Sequence, residues 1–222
     1  MERWEDALGN ADSQPTPEAG VTIYSVGHSN IPLADFIALL QRHGVATVAD
    51  VRSAPYSRYV PHFNRPELEY ALGRAGIRYV YLGEELGGRP LGDEFYDDEG
   101  YVLYYRVARA PFFTRGLARL LEEGARQRTA IMCGEEDPTN CHRRLLVARV
   151  LAERGTPTLH IRGDDRIQTA DDFRQGQQLS LWDDPADTAS EERAWTSIRP
   201  VSRKRPPNNS SSLFDGLESD DS

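Results

Sequence analysis

The chain has 222 residues, enough for one domain of ordinary size with a full core, plus tails. No apolar run approaches the ~20 residues that span a bilayer, and the opening M-E-R-W-E-D-A-L-G-N lacks the apolar stretch of a secretory signal, so a cytoplasmic setting without membrane contact is expected. The net charge of −9 is uneven: residues 1–20 hold five acids and one base, residues 166–222 eleven acids and seven bases, and residues 21–165 are close to neutral with 18 Arg against 19 Asp and Glu. A strong non-specific DNA-binding face is therefore not expected, while arginine suits planar contacts to phosphate or carboxylate. Two cysteines make no disulfide framework, which agrees with a reducing compartment.

Along the chain, residues 1–20 are polar and Pro-containing and read as a disordered leader. A strand is predicted at Val21–Val26, and a helix at Leu33–His43, closed by Gly44. A second strand follows at Val45–Val51. Asn64-Arg-Pro-Glu67 resembles a capping box before a helix to about Ala75. Ile77–Leu82 is a third strand, Pro111–Gln127 a helix and Thr129–Cys133 a fourth strand. A helix over Pro138–Arg154 and a fifth strand at Thr156–Ile161 complete the set. Strands separated by helices imply βαβ units, so the expected fold is a single α/β domain over 21–165: three α/β/α layers around a mainly parallel sheet of about five strands. Residues 52–63 and 83–103 are longer than such connections need and read as lids or binding loops. From 166 to 222 the composition turns polar and acidic, and a disordered tail is expected.

In parallel α/β sheets ligands bind beyond the carboxyl ends of the strands. Those ends deliver Gly27-His28-Ser29, Asp50-Val-Arg52-Ser53, the Gly87-Gly88-Arg89 loop, Cys133-Gly-Glu135 facing Cys141-His142-Arg143, and His160-Ile-Arg162. Reactive side chains thus gather at one edge. The expected catalytic group is Cys141, His28, Glu135, Asp50, Cys133 and His142, with Arg52, Arg143, Ser29, Ser53, Arg89 and His160 binding an anion or substrate. Cys141 would sit in the first turn of the helix that Asp137-Pro138 opens, where amide N–H groups and the dipole favour a thiolate, so it should ionise more easily than a free thiol. Each member also has a structural reading: Cys133 as a small core residue, Arg143 as the partner of Glu135 or Asp137, Asp50 as a turn cap, His142 as a solvent-facing residue.

Two chemistries fit these residues. Cys141 could be a nucleophile or redox thiol with a histidine as proton carrier. Alternatively Cys133, Cys141 and a His or Glu could bind Zn²⁺, although C-x₇-C is not a standard finger spacing and no cofactor is required by the first scheme. The series S-V-G-H-S, D-V-R-S-x-P, F-N, Y-x-Y-L-G-x-x-L-G-G and M-C-x-E-x-D-P-x-x-C-H-R with a closing H-I resembles the DUF488 family of bacteria and archaea over about Thr22 to Arg162. The resemblance implies one α/β domain and singles out the motif residues as a group, but implies no reaction.

The polar tail contains one apolar cluster, Gln178-Leu179-Ser-Leu181-Trp182. It resembles the pentapeptide by which bacterial replication and repair proteins dock on the DNA sliding clamp, with Trp182 in place of the usual Phe. Two leucines and a ring offered by a flexible segment suit a hydrophobic groove, with Gln178 bonding the rim. The expected function is accordingly a clamp-recruited enzyme of DNA maintenance, a hydrolase or transferase acting on a nucleotide or damaged DNA. Two other readings stay open: a non-catalytic adaptor that binds a ligand and the clamp, and a small-molecule thiol enzyme unrelated to DNA.

Overall fold

The computed structural model describes residues 20–176 and 195–202. Six short strands, β1 (Ile23–Gly27), β2 (Thr47–Asp50), β3 (Arg78–Tyr81), β4 (Thr129–Cys133), β5 (Thr158–Ile161) and β6 (Ile167–Gln168), form one sheet in the order β3-β2-β4-β1-β5-β6. The first five run parallel, and β6 is antiparallel to β5 at the edge. β4 lies at the centre with all five residues buried, which is why its sequence T-A-I-M-C shows no polar alternation. The parallel α/β domain expected from the sequence is the one observed, with β6 in addition.

The pleat sorts the core into two layers. Ala130 and Met132 of β4 point to one side, where α1 (Leu33–Arg42) and α2 (Arg65–Arg74) bring Phe36, Leu39, Leu68 and Leu72. Ile131 points to the other, onto Val107 of α3 (Tyr104–Arg109), Phe113, Leu117 and Leu120 of α4 (Pro111–Arg126), and Leu151 of α5 (Arg149–Glu153). Leu117 is fully buried there, and its truncation to Ala would cost about 2–5 kcal/mol through lost burial and the cavity left behind. Each parallel strand ends in a loop at the same edge of the sheet, the edge at which ligands bind in such folds. Among the described residues no helix is long and apolar enough to cross a membrane.

Three local expectations come out differently. The Asn64 side chain does not cap α2; its Oδ1 accepts from the Ser57 amide at 2.6 Å and folds the preceding loop instead. The helix expected from Pro138 starts later: Asp137 caps a turn through the Thr139 amide at 2.9 Å, and winding begins at Arg143, as a π-helix to Ala148 that continues into α5. The third difference lies beyond residue 165. There β6 joins the sheet and α6 (Ala170–Gly176) follows it. Residues 195–202 also return to the domain. Thr196 bridges Leu103, the Ser197 amide donates to Val102 O at 2.9 Å, and the Trp195 indole donates to Leu145 O at 2.9 Å. Gln178, Leu179, Leu181 and Trp182 lie outside the described residues, as does the leader to residue 19.

Candidate active site

A cleft of about 380 Å³ opens at the carboxyl ends of β2 and β4. Its floor is Cys133 and Gly134, which end β4 and begin the following loop. One wall is Arg52, Ser53 and Tyr56, and the Gly88–Arg89 loop with Tyr104 forms the roof. The returning segment closes the far side with Ser197, Ile198, Arg199 and Val201.

At the floor Cys133, Cys141 and His142 converge. His142 Nδ1 lies 3.9 Å from Cys133 Sγ and 3.8 Å from Cys141 Sγ. Its Nε2 is 3.0 Å from the carbonyl of Val51, which can only accept, so Nε2 carries a hydrogen and Nδ1 addresses the sulfurs. Gly88 permits this arrangement: a Cβ there would stand 2.8 Å from His142 Cγ. The two thiols are unequal. A hydrogen bond from Cys141 lowers the pKa of Cys133 well below that of an ordinary thiol; burial opposes this, and His142 and the Glu135 amide reinforce it. Cys141 is pushed up, because it donates to Cys133 and is itself buried. Burial disfavours a charge on His142, yet the facing Cys133 raises its pKa overall. The thiolate expected at Cys141 therefore belongs to Cys133. Cys141 precedes the helix rather than starting it, and it sits behind Cys133, away from the cleft.

On the opposite pleat a second group forms around Asp50, which is fully buried. Its carboxylate accepts from Arg52 Nε at 2.9 Å, Arg52 Nη2 at 2.6 Å, the Arg52 amide at 3.0 Å and the Tyr79 hydroxyl at 2.7 Å. His28 completes the guanidinium's surroundings, with Nε2 3.1 Å from Arg52 Nη1 and Nδ1 2.7 Å from Ser29 O. A carbonyl on one side and a guanidinium on the other leave only the neutral Nδ1–H tautomer. Burial and the Arg52 charge lower its pKa to about 4. The imidazole stacks on Phe63 at 4.1 Å between ring centroids, which fixes it further. His28 is thus held behind Arg52 and does not line the cleft.

The remaining expected residues divide. Ser53 accepts from the Arg89 amide at 2.9 Å and shapes the roof loop. Arg89 reaches the cleft, and among the described residues its guanidinium has no partner. Glu135 also lines the cleft, where it pairs with Arg199 at 2.6 Å. Arg143 and His160 turn away. Arg143 is completely buried and donates to Ser25 Oγ at 3.0 Å and to the carbonyls of Glu135 and Glu136 at 3.0 and 2.5 Å, so it holds the loop between the cysteines. The Ser25 hydroxyl then passes its own hydrogen to His160 Nδ1 at 2.8 Å, and burial with the Arg143 charge lowers the His160 pKa to about 3. Ser29, at φ 46°, contributes its amide to Gly134 O at 2.9 Å and has its side chain at the surface. That close approach needs Gly27, where a Cβ would meet Glu135 O at 1.8 Å.

Among the cleft residues not expected from the sequence, Tyr56, Tyr104 and Arg199 carry the functional groups of most consequence. Tyr56 is 64% exposed at the mouth. Tyr104 is buried, and burial raises its phenol pKa, so it keeps its proton. Arg199 lies in a stretch that reads as tail; the signal for it was the spacing of Trp195, Ile198 and Val201 within otherwise polar sequence.

Fold and cleft together define an α/β protein with a cysteine–histidine floor and an arginine-lined mouth. Residues 32–150 match the family described as Domain of unknown function DUF488, and the chain belongs to that family. No curated protein and no solved structure matches it.

Proposed function

We propose that the chain is a cysteine-dependent hydrolase or group-transfer enzyme whose substrate carries an anionic group and is no larger than a nucleotide. The observation that carries this is the position of Cys133: its sulfur forms the floor of the cleft with His142 and a second thiol beside it and arginines above it. In the first step the Cys133 sulfur attacks the electrophilic centre of the substrate. A bond from sulfur forms as the bond to the leaving group breaks, and the leaving group departs with the electron pair and takes up a proton. Water or an acceptor hydroxyl then releases the group from sulfur. Arg52, pinned by Asp50 and His28, and Arg89 bind the anion, while the protonated Tyr104 hydroxyl donates to it.

The exposed Tyr56 ring at the mouth supports a base-bearing substrate, since an aromatic face beside arginines is a stacking surface for nucleobases. A cleft of 380 Å³ takes one unpaired nucleotide, not a duplex, so action on DNA would be at a strand end or an extruded base. Recruitment to the DNA sliding clamp through Gln178, Leu179, Leu181 and Trp182 rests on their sequence alone. Such a tether would supply local concentration in place of a basic surface, in a cytoplasmic setting that keeps both thiols reduced.

Screening nucleotides and short single-stranded DNA against the chain, with Cys133→Ala as blank, tests the reaction. Turnover unchanged in Cys133→Ala would end the proposal, and ligand binding without turnover would make the domain an adaptor. Titration of a peptide of residues 172–188 with a bacterial sliding clamp tests the tether, with Leu181→Ala/Trp182→Ala as control. Saturable binding lost in the control supports it, and no binding removes it.

A further inference from the structure

We propose that Cys133, Cys141 and His142 also form a binding site for a thiophilic divalent cation, Zn²⁺ by its chemistry, with a fourth position open to the cleft. This goes beyond the enzymatic reading above and stands on the geometry of three donor atoms. Both thiol sulfurs and His142 Nδ1 lie within 4.8 Å of one another. A tetrahedral Zn²⁺ with Zn–S of about 2.3 Å and Zn–N of about 2.05 Å would set its sulfur and nitrogen donors about 3.6 Å apart. The observed sulfur–nitrogen separations are 3.9 and 3.8 Å and all three donors lie within 4.8 Å, so the nitrogen is nearly in place and the two sulfurs need draw together by at most about 1 Å.

The surroundings suit a ligand. The Nε2–H of His142 is held by Val51 O at 3.0 Å, the outer contact that fixes tautomer and ring direction in metal-ligating histidines and leaves Nδ1 as the donor. Gly88 packs on the ring and stops it from turning away. Cys141 approaches from beneath, and Arg143 ties down the loop that joins it to Cys133. Two thiolates and an imidazole are a soft donor set that hard cations such as Mg²⁺ or Ca²⁺ do not prefer. Cys133 and His142 both face the cleft, so the fourth ligand would be water or a substrate atom. Closed structural zinc sites have four protein ligands, whereas three with an exchangeable fourth mark a reactive or regulatory site. Occupation takes up the same sulfur that attacks substrate, so the cation would silence the thiol chemistry and make the cleft zinc-sensitive.

The test is a titration of the full chain, stripped with chelator and kept reduced, with Co²⁺ as a coloured stand-in for Zn²⁺. One equivalent should give sulfur-to-cobalt charge-transfer absorption with tetrahedral visible bands, and Zn²⁺ should displace it. Cys141→Ser and His142→Ala, checked for folding by circular dichroism, should each lose that spectrum. Alkylation of Cys133 in the unaltered chain needs no variant: its rate should fall roughly 100-fold at a zinc concentration of about 100 times Kd. Absence of charge-transfer absorption, or a spectrum that survives Cys141→Ser, would overturn the site. Cys133 labelled at the same rate with and without Zn²⁺ would also overturn it while leaving the thiol enzyme standing. A Cys133 that is unreactive even in the stripped chain would sink the enzyme reading and leave the cobalt result to decide the metal.

Discussion

Two polar groups stand within one strand of each other at the same sheet edge, and they are built on opposite plans. Around Asp50 every strong donor and acceptor is used: the carboxylate takes Arg52 and Tyr79, and His28 closes the guanidinium from the other side. Around Cys133 the donors face inward on a sulfur that remains on the cleft wall. The first group has nothing left to offer a ligand except the outer edge of Arg52, so it positions. The second keeps an open side, so it reacts. Buried charge is tolerated in the first because it is fully bonded, and in the second because neighbouring donors stabilise it.

The comparison breaks most sharply at Cys133. Cys133→Ala should lower kcat on any turned-over substrate by on the order of 10³-fold or more, with thermal unfolding little changed. If stability falls instead and activity persists, the sulfur is a packing residue. Asp50→Ala should act the opposite way: it leaves a nearly buried guanidinium without its carboxylate, which costs about 3 kcal/mol or more in denaturant titrations. A loss below about 1 kcal/mol would mean that Arg52 simply turns to water.

The histidines sharpen the contrast through pH. His28 and His160 are neutral in the folded chain, with pKa values lowered to about 4 and about 3, against 6.5 when unfolded. A depressed folded pKa means that the unfolded chain binds more protons, so stability is complete above about pH 6.5 and drains away as pH falls toward those values. His28 alone accounts for about 3 kcal/mol of that loss. Urea midpoints measured from about pH 7.5 down to about pH 4.5 should drop in the unaltered chain and drop less in His28→Gln. Equal slopes would show that His28 is not held neutral. The smallest effect should come from Gly88→Ala. Its methyl group presses on the His142 ring, at a cost of about 1–3 kcal/mol, and should slow Cys133 alkylation by displacing the imidazole.

Much of the site was legible in the sequence because chemistry-bearing residues directly follow strands, and parallel strands all end on one side. His28, Asp50, Arg52 and Cys133 needed only that rule. Their division of labour did not follow from it. Alternation puts Asp50 and Cys133 on opposite pleats, and a one-dimensional list of strand ends does not show which of two thiols lies in front. Arg143 illustrates the same limit: next to a cysteine and a histidine it resembles an anion ligand, yet the π-helical start of its helix sends it inward to two carbonyls. Arg199 was hidden by composition, since a short return of the chain packs one half-buried Trp and buries only Ser197.

What the sequence by itself determined was the α/β class, the elements to within a few residues, the family and the edge at which reactive groups collect. Those follow from periodicity, glycine and proline punctuation and local motif spacing, all of which act between near neighbours. The tertiary structure alone decided that Cys133 fronts Cys141, that His28 serves Arg52, and that residues 195–202 complete the cleft. Each depends on contacts between segments remote in sequence, where packing and the order of strands in the sheet, rather than local propensity, determine which side chain meets which.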